Sequence, residues 1–147
     1  MSRADFVCVP RLRVRWAEVD MQKIVFNGHY LTYIDTAIAE YWREIGLPYP
    51  HGYVERFGND IYLRKATVEY LGSARYDDVL TVYCRVAKLG RTSMTFAFEI
   101  YREQDESALV TAELVYVNAD PSSMKAAPLP EELRDRVRKY ERSAPQA

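Results

Sequence analysis

The 147-residue sequence is poor in cysteine and in histidine, with two of each. Cys8 and Cys84 are too few for a disulfide framework. Neither stands in a C-x-x-C or mixed Cys/His spacing, so no metal site is expected, and no cofactor motif is present. The chain also lacks any window near the roughly 18 apolar residues that a membrane-spanning helix needs. Its opening, MSRADFVCVPRLRVRW, has no apolar core of secretory-signal length. A cytoplasmic protein without a membrane partner is the expectation. Nor is one sign of charge in excess: 20 basic residues face 21 acidic ones, for a formal net charge of -1. No overall field then draws the chain to nucleic acid, and an anionic ligand must be met by a local basic patch. Internal repeats and low-complexity tracts are missing as well.

What is present fits one compact domain over 1–147, with a core at about 7–120 and a tail helix at about 130–142. The composition, 48% apolar and 13% aromatic, is that of a chain able to bury a core. Residues 7–16 alternate after Pro10, with Leu12, Val14 and Trp16 opposite Arg11, Arg13 and Arg15, which predicts a half-buried strand. A polar turn, AEVDMQK, leads through IVF to NGH, where a helix begins. Tyr30, Ile34, Ala37, Ile38, Tyr41 and Ile45 recur at helical spacing until Gly46 and Pro48 stop them. Leu31, Ala39 and Trp42 add apolar residues on a second side, which predicts a helix enclosed by protein.

From about Asn59 to Asp120 the period changes to two. Leu80, Val82, Cys84 and Val86 alternate with polar neighbours, as do Met94, Phe96, Phe98 and Ile100, and later Val110, Ala112, Leu114 and Tyr116. KLGRTS and REQDES supply the turns between antiparallel strands. A short helix at about Glu131–Glu141 follows, with acidic residues at its N-terminus, and RSAPQA is expected to fray. The pattern is α+β: an antiparallel sheet curved over one long helix, whose open edges invite a second copy.

Three stretches, RVRWAEVDMQKIVFNGHYLTYIDTAIAEYWREIGLP, ARYDDVLTV and KLGRTSMTFAFEIYRE, carry a resemblance to the hotdog-fold acyl-CoA thioesterases of the 4-hydroxybenzoyl-CoA thioesterase family. The likeness runs over about residues 10–118. It implies about five strands wrapped round the central helix, assembly as a homodimer or homotetramer with active sites at the subunit interface, and hydrolysis of an acyl-CoA thioester. It further implies that Asp20 is the catalytic carboxylate and that amides near Asn27, Gly28 and His29 polarise the carbonyl, with Tyr30 keeping the family's usual aromatic. Arg91, with Thr92 and Ser93, falls where relatives meet the CoA end; Arg64, Lys65 and Arg75 are weaker candidates. Many relatives carry Gly at the position of Lys23 and other residues at those of Asn27 and His29. Some place the acid on the long helix, where Asp35 and Glu40 stand.

The residues suit that chemistry. A helix N-terminus offers unpaired N–H groups and a positive dipole end to a developing oxyanion. Gly28 lets a ligand approach the backbone closely. Asp20 has two routes, direct attack or activation of water, or else serves only to close an Asx turn. His29 is a candidate for ligand contact or proton transfer, and His51 is expected in a loop. Two other readings share the fold: an enoyl-CoA hydratase or dehydratase using Asp20 with His29, and an acyl-CoA binder without activity.

Overall fold

The computed structural model describes residues 2–147. Among these, five strands form one antiparallel sheet: β1 (Arg11–Arg13), β2 (Asp60–Tyr70), β3 (Val79–Leu89), β4 (Ser93–Arg102) and β5 (Val110–Ala119). Their spatial order is β1-β3-β4-β5-β2, which leaves β2 as an edge. Helix α1 (His29–Glu44) lies against the inner face, and α2 (Glu131–Tyr140) follows the sheet in sequence.

The alternation read from the sequence sets the inner face. Val82, Cys84 and Val86 of β3, Met94, Phe96, Phe98 and Ile100 of β4, and Val110, Ala112 and Leu114 of β5 are all buried. Tyr30, Tyr33, Ile34, Ala37, Ile38, Tyr41 and Trp42 of α1 are buried as well, and the Tyr41 and Phe96 rings meet edge to face at 5.4 Å. Each such large side chain contributes about 1.5–3 kcal/mol on leaving water. The helix stops as its sequence demands. Gly46 adopts φ +81°, its N–H donates to Arg43 O at 3.0 Å, and Leu47 N–H donates to Trp42 O at 2.9 Å. These two bonds make a Schellman cap, with fully buried Leu47 beside Trp42.

The structure corrects four expectations. The first strand is only three residues long: Trp16 begins a 3-10 turn, Trp16–Glu18, and is 83% exposed. Helix α1 is not enclosed, because Leu31, Thr32, Asp35 and Thr36 stand on an open face. The tail after α2 is held rather than frayed, since Gln146 N–H donates to Ala87 O and Leu89 N–H to Gln146 O. His51, expected in a loop, lies in the helical turn His51–Glu55.

Edge strand β2 pairs with β5 along one side only. Leu63 is half exposed, and residues 64–67 beside it are exposed too. Among the described residues no helix is long and apolar enough to cross a membrane, and no cluster of potential metal ligands exists.

Candidate active site

The segment between β1 and α1 is a small hairpin. Phe26 N–H donates to Glu18 O at 2.9 Å, Val19 bridges Val25, and Asp20 N–H donates to Ile24 O at 3.0 Å. Its tip carries Lys23 at φ +67°, a conformation glycine adopts without strain. The returning strand runs directly into Asn27-Gly28 and the first turn of α1.

Asp20 is half-buried on the outgoing strand of this hairpin. Its Oδ1 accepts the Gln22 N–H at 2.8 Å, closing an Asx turn. The second carboxylate oxygen accepts no hydrogen bond among the described residues. The turn therefore occupies one carboxylate oxygen and leaves the other uncommitted. Beside the hairpin lies an apolar cleft of about 500 Å³ lined by Trp16, Val19, Lys23, Arg75 and Tyr76, and Asp20 is not part of its lining.

The helix start separates the amides. His29 N–H donates to Phe26 O at 2.9 Å and Tyr30 N–H to Asn27 O at 3.4 Å. The N–H groups of Asn27 and Gly28 donate to nothing among the described residues, as the unsatisfied donors of a helix end do. A Cβ at Gly28 would stand 3.0 Å from the Phe26 ring, and that ring meets the His29 imidazole edge to face at 5.9 Å. Tyr30 is in the core. Its hydroxyl accepts the Ala74 N–H at 2.9 Å, and burial raises its pKa.

A carboxylate that sequence reading passed over sits two residues before Asp20. Glu18 is 5% exposed. Its Oε1 accepts the Arg15 N–H and the Tyr33 hydroxyl, each at 2.8 Å, and its Oε2 accepts Arg15 Nε at 2.8 Å. Burial by itself would raise the Glu18 pKa; the Arg15 amide, the Tyr33 hydroxyl and the Arg15 guanidinium outweigh it and hold the group below its ordinary value. The only sequence signal was its i,i+3 spacing from Arg15, which a surface pair would share.

The other candidates lie elsewhere. Glu40 pairs with Arg43 on the surface of α1 at 2.9 Å. Asp35 lines a cavity of about 300 Å³ with Ile38, Ala39, Trp42, Tyr49, Ile61 and Tyr116, on the open side of the helix. Arg91 is exposed at the β3–β4 turn. That turn is fixed through its backbone: Arg134 donates to Gly90 O at 2.6 Å, Asn118 N–H to Thr92 O at 2.8 Å, and Gly90 N–H to Ser93 O at 2.8 Å.

The structure does not bring this turn to the Asp20 hairpin within one chain. Ser93 is level with Val117, and Val117 with Tyr62 of β2. The helix start is level with the far end of β2, where the Tyr70 hydroxyl donates to Asn27 O at 3.3 Å. Tyr70 lies eight residues further along the strand than Tyr62, or about 26 Å.

A family model described as the thioesterase superfamily matches residues 22–109. The chain belongs to the thioesterase superfamily. The match begins just after Asp20. The acyl-CoA thioester hydrolase YbgC of Escherichia coli is 29% identical over 122 residues, covering 83% of this thioesterase and 89% of the relative. A solved structure from Aquifex aeolicus is 28% identical, with a TM-score of 0.78 over 88% of this chain and 98% of that one. A 1,4-dihydroxy-2-naphthoyl-CoA thioesterase from Synechocystis, at 18% identity, shares the fold with a TM-score of 0.79 over 88% and 93% of the two chains. The five-stranded sheet over one long helix in this thioesterase is thus the hotdog fold, and the protein is a thioester hydrolase.

Proposed function

We propose that this thioesterase cleaves acyl-CoA to a free acid and CoA, with Asp20 as the reacting carboxylate and the Asn27 and Gly28 amides as the oxyanion donors. The observation that carries this is the hairpin: its outgoing strand bears a carboxylate oxygen without a partner, and its returning strand ends in two free amides. Donors already fixed in place stabilise developing negative charge without reorganising. In the water-activated route, Asp20 takes a proton as water oxygen attacks the carbonyl carbon. The C–S bond then breaks, and the thiolate takes up a proton. In the alternative, the carboxylate attacks first and water cleaves the resulting anhydride. A thiolate leaves readily, so neither route calls for a Ser-His-Asp triad.

A complete site further requires a second copy. Antiparallel pairing of two β2 edges about a two-fold axis sets the Tyr62 end of one chain beside the Tyr70 end of the other. The partner's β3–β4 turn then approaches the Asp20 hairpin, so that its exposed basic group meets the CoA phosphates. The same pairing lays a partner over the open face of α1. We therefore infer a homodimer with two sites shared between subunits. The free cysteines Cys8 and Cys84 suit the reducing cytoplasm in which CoA esters are handled.

The test is a thiol-release assay across short, long, branched and aromatic acyl-CoAs. Release from at least one member, saturable in substrate and proportional to protein, is expected. Tight binding of acyl-CoA with no release from any member would leave only a binding protein. Hydration of an enoyl-CoA without thiol release would assign the site to a different reaction.

A further inference from the structure

We propose that Glu18 is the positioning residue of this site, the group that fixes the Asp20 hairpin relative to the start of α1. The inference rests on the assignment of Asp20 above. It adds a residue that touches neither substrate nor the reacting atoms.

A buried carboxylate needs a reason. Removing one from water is costly, and an apolar side chain of similar volume would often stabilise the fold as well or better. Here the charge is met on both oxygens, by a guanidinium, a backbone amide and a tyrosine hydroxyl. The three donors belong to two residues in separate places: Arg15, which supplies the guanidinium and the amide, precedes the hairpin, and Tyr33 lies one turn inside α1. Tyr33 is itself 3% exposed and contacts the Tyr30 ring edge to face at 5.8 Å. Tyr30 in turn holds Ala74 through its hydroxyl, and Ala74 O accepts the Val25 N–H at 2.9 Å. The contacts close a circuit: outgoing strand, Glu18, Tyr33, Tyr30, Ala74, Val25, returning strand.

Both strands of the hairpin are therefore tied to the same helical turn. Asp20 lies two residues beyond Glu18 on one strand, and the free amides lie two and three residues beyond Val25 on the other. A displacement of the Glu18 end alone moves the acid relative to the amides. A misplacement on the order of 1 Å costs up to about 10²-fold in rate. Tyr33 is the more delicate probe, because Tyr33→Phe removes one hydroxyl and keeps the ring in place.

The experiment measures kcat and KM for the best acyl-CoA, together with thermal melts, for Glu18→Gln, Tyr33→Phe and the double variant, beside Asp20→Asn. Expected are a fall in kcat of about 10–10²-fold for Glu18→Gln and a smaller fall for Tyr33→Phe, with KM near wild type in both. The double variant is expected to be no slower than Glu18→Gln, since both changes act through one carboxylate. A role confined to stability would lower the melting temperature while the folded protein kept its kcat, and that result would overturn the inference. If Glu18→Gln does not fold, Tyr33→Phe with wild-type kcat overturns it alone. Inactive Asp20→Asn beside fully active Glu18 and Tyr33 variants would sink this inference and leave the Asp20 assignment standing. Wild-type turnover in Asp20→Asn would instead remove the assignment on which it rests.

Discussion

Asp20→Asn is expected to lower kcat for acyl-CoA hydrolysis by about 10²–10⁴-fold, the usual worth of a positioned acid–base group, with little change in KM or melting temperature. The substitution suits the geometry. Asparagine keeps a side-chain oxygen for the Gln22 N–H that now lies 2.8 Å from Oδ1, so the Asx turn and the hairpin survive. What disappears is the charge, and with it both the ability to take a proton from water and the ability to attack the carbonyl. Each tenfold loss corresponds to about 1.4 kcal/mol of barrier, and the full loss is that of a transition-state interaction. If Asp20 served only the turn, Asn would serve equally, and the rate would be unchanged. Steady-state thiol release on the folded variant separates the two outcomes.

The second large effect is expected from Ala66→Pro in the edge strand. Asn118 turns its N–H to Thr92, on the β4 side of β5. Counting from there through the paired residues, Ala66 opposite Leu114 directs its N–H away from β5. Ile61 fits the same alternation, its N–H donating to Asp60 Oδ1 at 2.7 Å instead of to β5. A proline at 66 thus leaves the β2–β5 ladder whole and removes a donor only from the open edge, where proline is tolerated. It also sets a ring against any strand that pairs there. Ala66→Pro is expected to sediment as a monomer with wild-type circular dichroism and to lose nearly all thiol release. An active monomer would refute the shared site.

Much of the fold was legible because side-chain periodicity encodes it. Tyr30 to Ile45 at helical spacing gave α1, Gly46 its end, and the alternations around Val82, Phe96 and Leu114 gave β3, β4 and β5. Trp16 was misplaced because its alternation continues past the point where the strand ends. The Glu18 carboxylate accepts the Arg15 N–H and draws the chain into a turn, a tertiary demand that periodicity does not register. The tail was missed for a related reason: Gln146 is held to β3 by backbone bonds, which carry no side-chain signature. Leu31 and Ala39 were expected to be covered because apolar residues on a second side of a helix signal contact. In one chain that side stays open, and in the proposed dimer a second copy covers it.

At the site, the polar turn AEVDMQK and the helix start were legible in the sequence, but the pairing of Val19 with Val25 that makes a hairpin of this segment was not, nor was the order of the donors. Asn27, Gly28 and His29 were equivalent candidates. Only the turn bond from His29 N–H to Phe26 O distinguishes the occupied amide from the two free ones. The Arg91 turn was grouped with Asp20 by resemblance alone, and the registers through Tyr62 and Tyr70 set them at opposite ends of a single chain.

That separation makes subunit complementation the most direct measurement. Asp20→Asn and Arg91→Glu are each expected to be poorly active at low acyl-CoA, the first through the chemistry and the second by repelling CoA phosphates. Arg91 is exposed, so the change does not disturb the core. When the two variants are unfolded and refolded together, half of the dimers are mixed, and each mixed dimer holds one site with both wild-type groups. Thiol release is predicted to recover to roughly a quarter of wild type. Activity no greater than the sum of the separate variants, in samples shown to contain mixed dimers, would contradict a site built from Asp20 of one chain and the β3–β4 turn of the other.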